Sequence, residues 1–116
     1  MQTSEIEQNS NEHCLVLCTC PDQPSATSIA QTLINEQLAA CVNIVPGIMS
    51  VYRWQGKIEK SSELLLLIKT KQTALPRIET TIIDRHPYEL PEIISIPISN
   101  GLTDYLSWIT DNVVTN

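Results

Sequence analysis

The chain has 116 residues, 42% of them hydrophobic and 17% charged, and a net charge of −6. That length fits one domain, and seven Lys and Arg residues scattered without a cluster exclude the basic patch that nucleic-acid binding needs. The longest apolar run, Leu64–Ile68, is far too short to span a membrane.

Met1–Glu12 is polar and carries Glu5, Glu7 and Glu12. It lacks the basic-then-apolar order of a secretory signal and reads as a disordered tail, leaving residues 13–113 as a single domain. His13–Cys20 reads as a strand, apolar at both parities and therefore covered on both faces. Pro21-Asp22-Gln23-Pro24 breaks it. A helix is predicted over Ser25–Gln37, where Ala26, Ile29, Ala30, Leu33 and Ile34 form one stripe.

Cys41–Trp54 is predicted as a long second strand, interrupted at Pro46-Gly47 by a bulge or bend. Gln55-Gly56 supplies a tight turn in which glycine accepts positive φ. Lys57–Thr70 returns as a third strand, polar in its first half and apolar in its second. Thr73 is placed to cap a second helix with Pro76 in its first turn. Leu75, Ile78 and Ile82 form that helix's apolar stripe, and His86-Pro87 ends it.

Pro87, Pro91 and Pro97 bracket the β-branched run Ile93–Ile98, a short strand that Pro97 confines to an edge or an end. Ser99-Asn100-Gly101 reads as a turn, and Leu102, Tyr105, Ile109 and Val113 mark a last helix. The order β-α-β-β-α-β plus a C-terminal helix is the split βαβ arrangement of α+β, ferredoxin-like folds.

The central hairpin carries a quaternary argument. Fourteen residues at about 3.3 Å each span roughly 45 Å, more than a domain with a radius of gyration near 13 Å covers. Its projecting edges and Met49, Val51, Tyr52 and Trp54 need partners, so the hairpin is expected to pair with neighbouring subunits.

No Gly-x-Ser-x-Gly, phosphate loop or dinucleotide fingerprint is present, which argues against an enzyme. Four cysteines stand at 14, 18, 20 and 41. Without a secretory signal they are expected to be buried thiols in a cytoplasmic protein. His86, Glu89 and Glu92 are held near one another by the prolines and offer cation ligands. Cys18-x-Cys20 puts two thiols on one strand face, either as a short thiolate clamp or as inert core. His13 is expected to be exposed and without a role. Glu59, Glu63, Glu89 and Glu92 offer a negative surface that steers cations. Tyr52 and Trp54 are read as subunit contacts, and Tyr105 and Trp108 as packing.

The segment His86-Pro87-Tyr88-Glu89-Leu90-Pro91-Glu92-Ile93 resembles the HPYE-PEI signature of the CutA divalent-cation tolerance proteins. Ala39–Asn43 with Val45-Pro46-Gly47, Ser50–Ile58, Leu67–Thr70 and Tyr105–Ile109 resemble further family motifs in the same order, over about residues 14 to 113. The resemblance implies a non-enzymatic homotrimer concerned with tolerance of divalent metal ions, copper above all. It associates copper with a cysteine at Cys18 and with a histidine pair at the exit of the second helix. Arg85 takes the first place of that pair here and His86 the second. Cys18 and His86 are thus the expected ligands, with Cys41 third. Imidazole and thiolate suit copper and zinc, and other divalent cations remain open. The alternative is a trimeric module like the nitrogen-regulatory PII proteins, binding a nucleotide or small metabolite in clefts between subunits.

Overall fold

The computed structural model describes residues 6–8 and 12–114. Four strands form one antiparallel sheet in the order β3-β4-β2-β5: β2 (His13–Cys20), β3 (Cys41–Trp54), β4 (Lys57–Lys71) and β5 (Ile94–Pro97). Helix α1 (Gln23–Asn35) joins β2 to β3, and α2 (Leu75–Arg85) joins β4 to β5. A split β-α-β pair with its second and third strands joined as a hairpin is the ferredoxin-like fold, as the element order predicted. A second, two-stranded sheet pairs β1 (Ile6–Gln8) with β6 (Asn100–Leu102), and α3 (Thr103–Asp111) follows it.

Strand β2 sits between β4, which pairs it from His13 to Cys20, and β5, which pairs only Cys14–Leu17. Its even residues Cys14, Val16, Cys18 and Cys20 are buried in one core with Ala26, Ile29 and Leu33 of α1 and Ile78 and Ile82 of α2. Leu66 and Ile68 of β4 join from the neighbouring strand, and Leu106, Ile109 and Val113 close the end. The odd residues Leu15 and Leu17, with Ile94 and Ile96 beside them in β5, are only half-buried or exposed. One face of the sheet is therefore covered by helices and the other is open and apolar.

Helix α1 begins two residues earlier than its apolar stripe suggests. The Asp22 carboxylate accepts the Ser25 amide at 2.8 Å, which lowers its pKa. Pro24 falls in the first turn, where no amide partner is lost. The exit is a Schellman motif: Leu38 N–H donates to Leu33 O at 2.9 Å and Gln37 N–H to Ile34 O at 3.0 Å. Gln37 fills the left-handed position at φ 56°. Ile34, assigned to the apolar stripe, is 40% exposed because it lies past the helix face that meets the sheet.

Thr73 does not cap α2. It lies in a single 3₁₀ turn, Gln72–Ala74, that leads directly into the helix, and the helix start has no side-chain cap. Asn100-Gly101 extends into β6 instead of turning, because residues 6–8 offer it a partner edge. The disordered reading of Met1–Glu12 therefore needs correction at Ile6–Gln8; the rest of it, Glu12 apart, lies outside the described residues.

The β3–β4 hairpin is as long as expected, and the molecule measures 56 × 25 × 21 Å with a radius of gyration of 15.5 Å. A compact chain of this size would have a radius of about 13 Å. The register slips between Val45 and Ile48, so Pro46-Gly47 is a bulge, with Gly47 at φ 80°. At the tip Gln55 and Gly56 both take positive φ, 52° and 81°, the type I′ pattern that matches strand twist.

Two substitutions test this local chemistry. Gln37→Gly relieves a left-handed side chain and is expected to raise stability by up to about 1 kcal/mol. Gly56→Ala has no atom within 4 Å to clash with, so its loss of about 1 kcal/mol is conformational alone. Guanidinium unfolding at fixed protein concentration reads both.

Candidate metal centre

Helix α2 ends where its sequence requires. Pro87 drives the residue before it out of helical geometry, and His86 takes φ −81°, ψ 136° while its N–H still closes the last turn onto Ile82 O at 2.8 Å. The ring is thereby turned inward, and His86 is 8% exposed. Its Nε2 lies 2.7 Å from the Thr19 carbonyl oxygen, an acceptor only, so Nε2 carries the proton and donates. Nδ1 keeps its lone pair and accepts the Tyr88 amide at 3.1 Å. The Tyr88 ring stacks at a tilt on the imidazole, centroids 4.8 Å apart.

Opposite this ring stand the even side chains at the end of β2. One ligand atom each from Cys18, Cys20 and His86 lie within 4.8 Å of one another, and both cysteines are fully buried. The two sulfurs interact directly. The Cys18 thiol is held protonated by its hydrogen bond to Cys20 and by burial, and the same hydrogen bond lowers the pKa of Cys20. Cys14, buried without such a neighbour, is pushed up to about 11 and is an inert core thiol.

Of the three cation ligands expected from the sequence, the fold brings Cys18 and His86 together and leaves Cys41 apart. Cys41 opens β3, an edge strand separated from β2 by β4. It lies opposite Lys69, whose ammonium donates to Cys41 Sγ at 3.8 Å and to Asn43 Oδ1. Cys20 takes its place. Glu89 and Glu92, expected beside His86, stand outside the cluster because the imidazole points into the core and the two carboxylates to solvent.

Those carboxylates border a cavity of about 670 Å³ under the hairpin, lined also by Glu63, Tyr52, Trp54 and Tyr88. Glu63 is 7% exposed, not part of an open acidic surface. The Tyr88 hydroxyl donates to its carboxylate at 2.7 Å, and burial beside that charge raises the tyrosine pKa. The lining holds three carboxylates and one cation, Arg53, a poor match for phosphates.

The burial of Glu63 and its link to Tyr88 were missed from sequence, because a Glu between Ser62 and Leu64 reads as a solvated strand position. His13 was misread. It is 2% exposed, with Nε2 2.8 Å from Thr110 Oγ1, since α3 folds across the start of β2.

Tyr88→Phe leaves the Glu63 carboxylate buried without this donor and is expected to cost about 1–3 kcal/mol in urea unfolding. Glu63→Gln, which keeps an acceptor for Tyr88, is expected to cost less.

The chain matches the family model for the CutA1 divalent ion tolerance protein over residues 14–112. It is 48% identical over 98 residues to the divalent-cation tolerance protein CutA of Thermus thermophilus, covering 84% of this chain and 95% of the relative. The solved Thermus thermophilus structure superposes with a TM-score of 0.87 at 46% identity, over 88% of this chain and 99% of that one. A periplasmic divalent cation tolerance protein CutA from Archaeoglobus fulgidus superposes at 0.85 with 37% identity, over 88% and 99%. With a family match over residues 14–112 and a relative 48% identical over 95% of its own length, this chain belongs to the CutA1 divalent ion tolerance family.

Proposed function

We propose that the protein serves metal-ion tolerance by binding copper, without catalysis, as a cytoplasmic homotrimer, with Cys18 and His86 as ligands. The observation that carries this reading is the buried convergence of Cys18 with the imidazole of His86 at the end of β2. Thiolate and imidazole together suit copper and zinc rather than hard cations. The His86 arrangement also fits ligation: one ring nitrogen donates to a backbone carbonyl, the partner that metal-bound imidazoles keep. The carboxylates of Glu63, Glu89 and Glu92 lend a negative approach that draws cations in.

The trimer rests on what a lone subunit leaves uncovered. Met49, Val51 and Ile58 on the hairpin are 60 to 67% exposed, and Ile94 and Ile96 stand on the open sheet face at 50 and 45%. Strand β3 is a fourteen-residue edge. Folded chains do not leave long apolar edges free, and copies of the same hairpin are the partner always at hand. Four free thiols favour a reducing compartment. A nucleotide-binding, PII-like role is disfavoured by the acidic cavity lining.

Copper titration of the purified chain, with mass by light scattering in the same buffer, tests the reading. About one ion per subunit in a particle of three subunits is expected, with affinity reduced tenfold or more by Cys18→Ser and by His86→Ala. Copper binding indifferent to both variants would refute the ligand assignment. A monomeric mass at micromolar concentration would refute the trimer.

A further inference from the structure

Building on that copper reading, we infer that Cys20 is a third ligand and that Cys18, Cys20 and His86 Nδ1 form a three-coordinate soft-cation site that takes Cu(I) ahead of divalent ions. The case begins with placement. Cys18 and Cys20 are two residues apart in β2, held extended by pairing with Leu66 and Leu64 of β4, so their sulfurs project from the same face. The third donor comes from a helix end whose geometry Pro87 sets.

Distances come next. With metal–sulfur bonds of about 2.3 Å and metal–nitrogen bonds of about 2.0 Å, donors around a three-coordinate ion stand roughly 3.7–4.0 Å apart. One ligand atom of each residue, an imidazole nitrogen for His86, already lies within 4.8 Å of the others, so closure calls for side-chain rotation. His86 Nε2–H stays on the Thr19 carbonyl, while the ion takes the Nδ1 lone pair from the Tyr88 amide. Coordination by a thiol releases its proton to solvent.

The donor set then selects the ion. It holds two sulfurs and one nitrogen and, among the described residues, no carboxylate belongs to the group. Magnesium, calcium and manganese need several oxygen ligands. Zinc takes a fourth ligand, as does Cu(II) in its tetragonal geometry, and the three donors are 0 to 8% exposed, which leaves little access for water to supply it. Cu(I) is soft and satisfied by three donors.

The test is an anaerobic Cu(I) titration of the full chain against a chromogenic Cu(I) chelator, with X-ray absorption of the loaded wild type. One Cu(I) per subunit is expected, with two sulfurs and one nitrogen around it and the Tyr88 amide resonance shifted. Cys20→Ser and Cys20→Ala, each confirmed folded by circular dichroism, should weaken binding tenfold or more, and Mn(II) or Mg(II) in excess should not compete. A one-sulfur spectrum with wild-type affinity in both Cys20 variants overturns the third ligand while the copper reading stands. Competition by Mn(II), or tighter Zn(II) than Cu(I) binding, overturns the selectivity. No copper uptake overturns both.

Discussion

Strand β2 is bound by β4 along its whole length and by β5 over Cys14–Leu17, and much of the molecule depends on that pairing. The β4 ladder, running from His13 to Cys20, fixes the alternation, so Cys14, Val16, Cys18 and Cys20 point together into the helix-covered core. A core built from three thiols of one strand is unusual in its chemistry and ordinary in its packing, since buried cysteine behaves as a small hydrophobe. What lifts two of the three above packing is the imidazole delivered to their end of the strand.

That delivery is the work of a conflict between a helix and a proline. Helix α2 runs until Pro87 forbids helical geometry at the residue before it, and the backbone swings to extended at His86. The swing carries the ring onto the Thr19 carbonyl and the following Tyr88 toward Glu63. One backbone change thus positions both the nitrogen beside the thiols and the hydroxyl at the cavity. The two places share a neighbour, Tyr88, whose amide serves the first and whose hydroxyl serves the second.

Much of this was legible from residue order. Helical stripes, the bulge at Pro46-Gly47, the turn at Gln55-Gly56 and the end of α2 at His86 are local signals, each set by a few neighbouring residues, and they matched the structure to within two or three residues. The features that were misread depend on register between distant segments. Glu63 is buried because Tyr88, 25 positions on, reaches it. His13 is buried because Thr110, 97 positions on, folds over it. Cys41 misses the thiol cluster because β4 inserts between β3 and β2. None of these relations leaves a trace in periodicity. Cys18-x-Cys20 was visible as a pair, but whether a third donor faced it was a question of topology.

The bulge at Pro46-Gly47 has a geometric effect along the whole outer hairpin. Before it, Val42 and Ile44 lie opposite Ile68 and Leu66, on the face the helices cover; after it, Ile48 lies opposite Glu63. One extra residue has inverted the alternation. Even-numbered side chains beyond the bulge, Ser50, Tyr52 and Trp54 among them, therefore share the open face with Glu63 and roof the cavity. The aim of those aromatic rings is thus governed by chain length at residues 45–48 rather than by which residues stand at 52 and 54. Relatives one residue shorter there would present the opposite set of side chains to the cavity while keeping the same hairpin.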